Sequence, residues 1–444
     1  MKKAADINEL ANNLIPKNFL KPEDKDVYVP IYEDILANLR NMLIHDQEES
    51  QIFFVAGQAG TGKTTALNFF RTDALEMHYH IKYINMRDYL DFNDVDIIEF
   101  LLAFAFALVK HSPIEDKYYE QLEDFRRQYE GETEKIEETE KTRKTGRETT
   151  GEGSMGGGFF NFVKLKAQFF INLRMDTSYR EYTRRIFKLN KPFLHKLVNE
   201  LIDDYIEKVS KGKSLLVIID DLDKMKEVRQ INSIFIENRH YVFSLKCKKI
   251  ISIPTYLARA PEISNCSQYP IRQFILRLTP NPFDEKMRPG EEDTLKKNRQ
   301  LLRQVIENRI ADGHMLIDKN ALDKAVENSG GIIRQLIKIV YVAAVGVRTH
   351  EGKKISLHDV EEAIGLLRNE MAGTISDSDK IIFLNTVLTK NIPVSETAEQ
   401  FVELLLSNNV LSYRNGDPWY EVNPIIKDTV KVYAARQDEK QSNG

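Results

Sequence analysis

Cysteine is scarce in this 444-residue chain, which has only Cys247 and Cys266. Two cysteines so far apart cannot form a disulfide framework or a zinc cluster. A long apolar run is also absent, because the longest one, Ile97 to Val109, contains Glu99 and is too short to span a bilayer. The first residues include lysines but no apolar signal-peptide core. We therefore expect a soluble cytoplasmic protein with no membrane partner.

The chain carries little net charge. The formal net charge is -4, from 63 lysines and arginines against 67 aspartates and glutamates. Such a molecule has no overall attraction for nucleic acid or acidic membranes, so any binding of that kind would have to be local. The sequence shows no internal repeat, and no histidine cluster, Ser/His/Asp set or Cys/His pair stands out as a metal or nucleophilic site. The length suggests two or three domains.

The most informative stretch is FFVAGQAGTGKTTALNFF, Phe53 to Phe70. The apolar run Ile52 to Ala56 predicts a strand covered on both faces of a parallel sheet, and the residues from Thr64 to Phe70 suit a helix. Residues 57–64 between them match the phosphate-loop pattern G-x(4)-G-K-[ST]. The glycines let successive backbone N–H groups converge on an anion at the start of that helix.

This pattern predicts a nucleotide cradle. Lys63 would place a positive charge at the β- and γ-phosphates, and the Thr64 hydroxyl would ligate Mg²⁺. The predicted nucleotide-binding residues are Gly57, Gln58, Ala59, Gly60, Thr61, Gly62, Lys63, Thr64 and Thr65. The alternative is a glycine-rich turn that contains Lys-Thr by chance, and the strand before it and the helix after it make that alternative less favourable.

A second apolar strand, Leu215 to Ile219, is followed by Asp220 and Asp221 at the carboxyl end, where open α/β sheets bind ligands. This arrangement resembles the Walker B element of additional-strand P-loop ATPases. The resemblance implies that Asp220 holds Mg²⁺ through its water shell. It also implies that Asp221, where those ATPases usually have glutamate, polarises the attacking water, as in signalling ATPases of the STAND type. Capping of the following turn is the alternative for Asp221 and for Asp223.

Two further positions resemble sensors of the nucleotide. Ser252 and Thr255, at the end of a third apolar strand, compete for the role of polar sensor, with an ordinary strand-terminating turn as the alternative. Gly330 and Gly331 lead a helix that resembles the lid of AAA+ proteins, in particular the archaeal and origin-recognition branch. That resemblance implies a sensor 2 role for Arg334, whose alternative is a solvated surface arginine.

We expect an α/β protein with a P-loop NTPase parallel sheet and flanking helices, followed by a helical lid and a winged helix. The predicted bounds are a lead-in at 1–45, an ATPase core at 46–280 with a charged, glycine-rich insertion at about 112–190, a lid at 281–370 and a winged helix at 371–444. In the lead-in, Val29 or Tyr32 would line the adenine side by resemblance. Asn415-Gly416 predicts the hairpin of the wing.

The sequence allows either a protein or a nucleic acid as the binding partner. The helix before the wing carries Glu396, Glu399 and Glu403 but no lysine or arginine, which favours a protein-contact or intramolecular role over DNA binding. The basic part of the insertion could follow a nucleic-acid backbone, dock a protein partner, or form a solvated face. Its basic residues are Lys164, Lys166, Arg174, Arg180, Arg184 and Arg185.

The combined prediction is an ATP hydrolase with ATP and Mg²⁺ as cofactors. It would act as a molecular switch that couples nucleotide state to homo-oligomer assembly or to a protein effector, with Arg334 fastening the lid. By resemblance, Arg239, Arg259 or Arg272 would complete a neighbouring site in trans, so a lone subunit would hydrolyse slowly. Analogy also suggests bacterial regulation or defence. The alternatives are a DNA-associated AAA+ ATPase of the loader or transposition-regulator type, and a scaffold that only binds nucleotide.

Overall fold

The computed structural model describes most of the chain. The described residues are 1–16, 19–118, 120–122, 124, 174–188, 190–225, 227–266, 268–282, 284, 286–349, 353–375, 378–389, 399–415 and 417–442. The charged, glycine-rich tract at 129–158 lies outside them, as do Lys164, Lys166 and Glu396. The predictions made for those residues therefore remain predictions.

The chain divides into two compact units. The first, here called the loop unit, comprises residues 1–46, 54–75 and 252–444. The second, the acidic unit, comprises residues 47–53 and 76–251. The lead-in and the phosphate loop thus belong to the same unit as the predicted lid and C-terminal region.

A five-stranded sheet has the strand order β2-β3-β4-β1-β5. The strands are β1 (Ile52–Ala56), β2 (Tyr79–Asn85), β3 (Ser214–Asp220), β4 (Lys248–Ile253) and β5 (Arg272–Gln273). The pairs β2/β3, β3/β4 and β1/β5 are parallel, and the Lys249 N–H of β4 donates to Gln51 O beside β1 at 3.0 Å. All residues of β1 and β4 are buried, as expected for strands covered on both faces. The predicted P-loop NTPase sheet is confirmed.

Helices surround the sheet and make up most of the C-terminal half. In chain order they are α1 (Ile7–Asn13), α2 (Glu33–His45), α3 (Lys63–Asn68), α4 (Asp73–His78), α5 (Ile97–Val109), α6 (Thr177–Lys188), α7 (Lys191–Lys208), α8 (Val228–Asn232), α9 (Arg239–Phe243), α10 (Pro261–Ser264), α11 (Glu291–Glu307), α12 (Lys319–Asn328), α13 (Ile333–Thr349), α14 (Leu357–Ala372), α15 (Ser378–Leu388), α16 (Glu399–Leu406) and α17 (Lys427–Ser442). None of the helices in the described part of the chain is both long enough and apolar enough to cross a membrane.

The acidic unit is organised around helix α5. Every residue of α5 except Phe106 is buried, as is typical of a helix that is apolar on nearly every side. Asp96 caps its first turn by accepting the Ile98 N–H at 2.7 Å, and Glu99 accepts the Asp96 N–H at 2.8 Å. These two carboxylates satisfy backbone donors that the first turn of a helix leaves unpaired.

Two arginines of α6 are paired with carboxylates. Arg184 Nε donates to Glu99 Oε1 and Arg184 Nη1 to Asp94 Oδ1, both at 2.8 Å. Arg180 is buried, and its Nε donates to Asp94 Oδ2 at 3.0 Å. The expectation that Arg180 and Arg184 could follow a phosphate backbone is therefore not supported, because these guanidinium groups neutralise carboxylates of their own unit.

Removal of the Arg184 side chain should destabilise the acidic unit. Arg184→Ala removes the guanidinium partner of Glu99, which is 1 % exposed and whose pKa burial raises to about 8, and one of the two arginine partners of Asp94. Such a loss costs about 3 kcal/mol in unfolding free energy, which urea denaturation followed by circular dichroism would measure. Lys196→Ala is the matched control, because the Lys196–Glu200 pair lies on the surface and should cost less than about 0.5 kcal/mol. Equal stability of the two variants would contradict a stabilising role for the buried pair.

In the loop unit, helices α11 to α14 follow the sheet as one helical layer, and α1 packs against α13. The chain start is tied to this layer, because the Ala4 N–H donates to Arg309 O at 2.7 Å and the Ala311 N–H donates to Ala4 O at 2.8 Å. The remaining elements are α15, α16, the strands β6 (Val410–Asn415) and β7 (Asp417–Val422), and α17. We refer to residues 378–442 as the C-terminal module.

The C-terminal module contains the hairpin that Asn415-Gly416 predicts. Strands β6 and β7 are antiparallel, and Asn415 pairs with Asp417 at the tip. Trp419 is fully buried and its ring lies 4.6 Å from that of Tyr413, centroid to centroid. Tyr413 and Trp419 pack with Leu411 and with Ile332, which directly precedes helix α13, so the module shares this apolar cluster with the helical layer.

Candidate nucleotide-binding site

The phosphate loop connects β1 to α3 in the loop unit. Gly60 and Gly62 have left-handed backbone conformations, with φ of +92° and +96°. A Cβ on Gly60 would lie 2.8 Å from Arg334 Cβ, and one on Gly62 would lie 2.8 Å from Ile333 Cδ1. Glycine is therefore needed at both positions, for its backbone freedom and for the close approach of α13.

Lys63 reaches back across the loop. Its side chain is buried, and Nζ donates to Gly57 O at 2.6 Å and to Gln58 O at 2.9 Å. A lysine ammonium has three donors, and these two bonds hold it over the first half of the loop. The loop is also braced by the Thr61 hydroxyl, which donates to Gln58 O at 3.0 Å. The structure thus gives Lys63 a fixed position within the predicted cradle.

The start of helix α13 lies against the loop. The Arg334 N–H donates to Gly60 O at 2.9 Å, and the side chain of Arg334 is exposed. Gly330 and Gly331 precede the helix with φ of +57° and +82°. A Cβ on Gly331 would lie only 1.9 Å from Leu276 O, so the turn that leads the helix requires glycine there. The structure brings together the phosphate loop and Arg334, two features that the sequence predicts separately.

A largely apolar pocket opens beside the loop within the same unit. Its lining includes Val29, Tyr32, Thr65, Ala66, Arg309 and Ile337. The Tyr32 hydroxyl donates to Thr61 O at 2.8 Å, and burial raises the pKa of Tyr32 far above its usual value. Both residues predicted for the base side, Val29 and Tyr32, thus line a pocket that adjoins the loop. An apolar slot of this kind suits a nucleobase.

The acidic unit brings Asp220, Asp221 and Asp223 together. All three are buried, and one carboxylate oxygen of each lies within 4.8 Å of the others. The Tyr83 hydroxyl donates to Asp220 Oδ2 at 2.6 Å, whereas buried Asp220 Oδ1 has no hydrogen-bond partner among the described residues. Burial, with the charges of Asp223 and Asp221, raises the pKa of Asp220. Clustered oxygen ligands with an unpartnered buried atom fit a hard cation such as Mg²⁺.

Asp221 has an unusual backbone and a charged partner. Its φ is +75°, and its carboxylate Oδ1 pairs with Lys224 Nζ. It occupies the position before the 3₁₀ turn Leu222–Lys224, where its side chain makes no capping hydrogen bond. The capping alternative for Asp221 is therefore not supported. Aspartate is among the non-glycine residues that adopt this left-handed conformation most readily.

The remaining sequence-predicted positions differ in their surroundings. Ser252 Oγ and Thr255 Oγ1 are buried and have no hydrogen-bond partner in the described part of the chain, so neither is favoured as the sensor. Arg259 contacts the C-terminal module of its own chain, with Nη2 3.1 Å from Ser412 Oγ and its guanidinium 4.7 Å from the Tyr420 ring centroid. Arg239 donates to Ile236 O at 2.7 Å. Arg272 Nη2 lies 3.1 Å from Met42 Sδ.

Sequence reasoning missed the residues that support the predicted ones. Tyr83 lies on β2, whose pairing with β3 places Asn85 opposite Asp220, and no local pattern in HIKYINM marks its hydroxyl as functional. Lys224 follows Asp221 by three residues, a spacing that could have indicated the ion pair. No sequence pattern indicated that Gln58 contacts the C-terminal module, because its partners Leu405 and Val410 lie about 350 residues further along the chain.

The chain is similar to several solved structures at low sequence identity. No curated protein matches the chain. Among solved structures, Cdc6p from Pyrobaculum aerophilum is similar over 98% of this chain and 100% of its own, with 11% identity and a TM-score of 0.42. The Walker-type ATPase of Pyrococcus abyssi covers 94% of this chain and 99% of its own, with 13% identity and a TM-score of 0.45. The structure of Drosophila ORC bound to DNA is similar over 97% of this chain and 91% of its own, with 13% identity and a TM-score of 0.39.

A family model matches half of the chain. The KAP family P-loop domain matches residues 32–253, which include the phosphate loop and all three clustered aspartates. This range begins at the residue that hydrogen-bonds Thr61 O and ends with strand β4. Because the match extends over half of the chain, the protein belongs to the KAP family of P-loop NTPases.

Proposed function

We propose that this protein is a Mg²⁺-dependent ATP-binding and ATP-hydrolysing switch that couples its nucleotide state to assembly or to a protein partner. The observation that supports a switch is the hydrogen bond from the Arg334 N–H to Gly60 O, because it joins the lid helix directly to the phosphate loop. A loop that moves when phosphates enter must then move or reorder the start of α13. Nucleotide state can thus reach the helical layer through one backbone contact.

Each predicted residue has a role in this proposal. Lys63 would contact the β- and γ-phosphates, and Thr64 and Asp220 would hold Mg²⁺, directly and through water respectively. When bound, Mg²⁺ would neutralise developing charge on the phosphates. Asp221 would polarise the attacking water, and the exposed Arg334 side chain would reach the γ-phosphate. The unpartnered Asp220 Oδ1 supports the metal assignment.

The C-terminal module, which we propose to be a winged helix, would act within the chain or on protein partners. Its contacts with Arg259 support an intramolecular role and reduce the support for Arg259 as an arginine acting in trans. Arg239 and Arg272 remain candidates for that role. The STAND-type assignment and a part in bacterial regulation or defence rest on resemblance and stay predictions.

Phosphate release from MgATP at increasing protein concentration tests the proposal. If an arginine of a neighbouring subunit completes the site, the rate per subunit should rise with concentration, by up to about 10³-fold once assembly is complete. Light scattering with and without a nonhydrolysable ATP analogue would report the assembly itself. A constant, measurable rate per subunit would indicate a solitary switch. Absence of phosphate release at every concentration, despite nucleotide binding, would contradict the enzyme and favour a binding scaffold.

The DNA-associated alternative has less support. Of the arginines proposed to contact phosphates, Arg180 and Arg184 pair with Asp94, and Arg184 also pairs with Glu99. A cation that neutralises a carboxylate releases no counterion from DNA, so it adds little to affinity. Lys164 and Lys166 lie outside the described residues. We therefore favour a protein partner or a second copy of the chain over nucleic acid.

A further inference from the structure

Three successive carbonyl groups of the phosphate loop accept hydrogen bonds from three distant parts of the loop unit. Asn408 Nδ2 donates to Ala59 O at 2.8 Å, the Arg334 N–H to Gly60 O at 2.9 Å, and the Tyr32 hydroxyl to Thr61 O at 2.8 Å. Tyr32 belongs to the lead-in, Arg334 to the helical layer and Asn408 to the C-terminal module. Hydrogen bonds from other segments of the chain thus fix the central residues of the phosphate loop.

These bonds determine which way the loop presents its N–H groups. A trans peptide is planar, so the N–H that follows a carbonyl points away from whatever that carbonyl contacts. Holding Ala59 O and Thr61 O outward therefore turns the N–H groups of Gly60 and Gly62 toward the opposite side of the loop. The Thr61 N–H is used separately, in a turn to Gln58 O at 3.3 Å. Two amides of the anion cradle are thus oriented in advance.

The C-terminal module holds the loop through a second residue as well. The Gln58 side chain is 6% exposed, and its Nε2 donates to Val410 O at 2.8 Å and to Leu405 O at 3.1 Å. Its Oε1 accepts the Ser412 N–H at 2.8 Å. Both ends of the carboxamide are therefore bound by the module's backbone, where α16 leads into β6.

Asn408 is itself held in place. It has a left-handed backbone with φ of +60°, a conformation that asparagine and glycine tolerate better than other residues. Asn423 Nδ2 donates to Asn408 O at 2.9 Å, and Asn423 and Gln335 exchange two side-chain hydrogen bonds at 2.9 and 3.0 Å. Asn423 thus holds the backbone of Asn408 and is itself held by Gln335 of helix α13, while the Asn408 Oδ1 accepts a hydrogen bond from Gln58 Nε2 at 3.3 Å.

We propose that Asn408 is a positioning residue of the nucleotide site, and that docking of the C-terminal module, secured by Gln58, completes the phosphate cradle. The inference rests on the proposed nucleotide-binding function. With the module docked, the loop's amides are oriented before the phosphates arrive, so docking raises nucleotide affinity. By thermodynamic reciprocity, bound nucleotide stabilises the docked module by the same factor.

Asn408→Gly tests the positioning role directly. Glycine tolerates the left-handed backbone, so the substitution removes chiefly the carboxamide. Affinity for MgADP, measured by titration calorimetry, should fall about 5-fold, the value of one neutral hydrogen bond. Ser407→Gly is the matched control, because it places glycine one position away and its hydroxyl bonds to Leu404 O at 3.2 Å. That variant should retain the wild-type affinity.

Reciprocity supplies a readout that a purely structural residue would not change. In the wild type, MgADP should slow amide hydrogen exchange in β6 and β7, and in Asn408→Gly this protection should decrease. Gln58→Ala should also reduce the protection, since it removes the carboxamide that hydrogen-bonds to the backbone of the C-terminal module. Because Gln58 Nε2 also donates to Asn408 Oδ1 at 3.3 Å, the two residues form one network, and the double variant should lose less affinity than the two single losses combined predict.

The outcomes separate this inference from the proposed function. If the wild type binds MgADP and Asn408→Gly binds it equally well, the positioning role is wrong although the nucleotide site stands. Nucleotide-independent exchange in β6 and β7 of a nucleotide-binding wild type would likewise overturn the coupling. If the wild type itself binds neither MgADP nor MgATP, the proposed function fails first.

Discussion

Lys63→Met should weaken MgATP binding about 100-fold while leaving the fold intact. The substitution keeps an apolar stem of similar length in a buried position but removes the ammonium that would contact the phosphates. Charge-assisted hydrogen bonds of this kind contribute about 3 kcal/mol, which corresponds to that change in affinity. Gly57 O and Gln58 O also lose the donor that braces the loop. Titration calorimetry with MgATP, supported by a circular dichroism melt, is the direct measurement.

Lys248→Met is the matched control for the loss of a buried lysine. Lys248 is 3% exposed and donates to the Tyr79 hydroxyl at 3.0 Å. It begins strand β4, at the end of the sheet opposite the carboxyl edge where α/β proteins bind ligands. The control should bind MgATP as the wild type does. Wild-type affinity in Lys63→Met would mean that the cradle assignment is incorrect.

Asp221→Asn should abolish turnover and preserve nucleotide binding. Asparagine tolerates the left-handed backbone at φ of +75°, so the fold should accept the change. The amide cannot polarise water as a carboxylate does, and loss of a general base lowers the rate by about 10² to 10⁴-fold. Affinity for MgATP should change by less than about 3-fold, because the predicted metal ligand Asp220 remains. Single-turnover phosphate release and calorimetry together give both quantities.

Two further variants assign the effect to one carboxylate. Lys224→Met removes the partner of Asp221 but keeps the carboxylate, so its rate should fall far less than that of Asp221→Asn. Asp223→Asn tests the neighbouring carboxylate of the cluster. Persistent turnover in Asp221→Asn combined with its loss in Asp223→Asn would transfer the role of base to Asp223.

Sequence-based prediction succeeded where the signal is local. The strand before the phosphate loop, the helix after it and the glycine-led start of α13 all follow from short patterns of residue type. The burial of helix α5 likewise follows from a run of residues that is apolar on nearly every side. Each conclusion depends on propensities within one or two turns of chain, and tertiary contacts reinforced these propensities.

Prediction was weaker for charged residues. Arg180 and Arg184 were assigned to the basic part of the insertion, as residues that contact nucleic acid, contact a protein partner or face solvent, yet both are bound to carboxylates on or just before α5. Their partners lie 85 to 90 residues earlier in the chain. Neither the spacing nor the composition of α6 encodes that pairing. The charge of a side chain is visible in sequence, but its partner is known only after the fold is formed.

The amino-acid sequence alone established the phosphate loop, because the glycines, Lys63 and Thr64 that define it are contiguous and their chemistry is local. Folding determined what holds that loop, since Tyr32, Arg334 and Asn408 meet it from widely separated segments. Packing of the helical layer and of the C-terminal module brings these donors within hydrogen-bonding distance of the loop. Each such contact needs two segments to be placed within about 0.5 Å, which no one-dimensional pattern specifies.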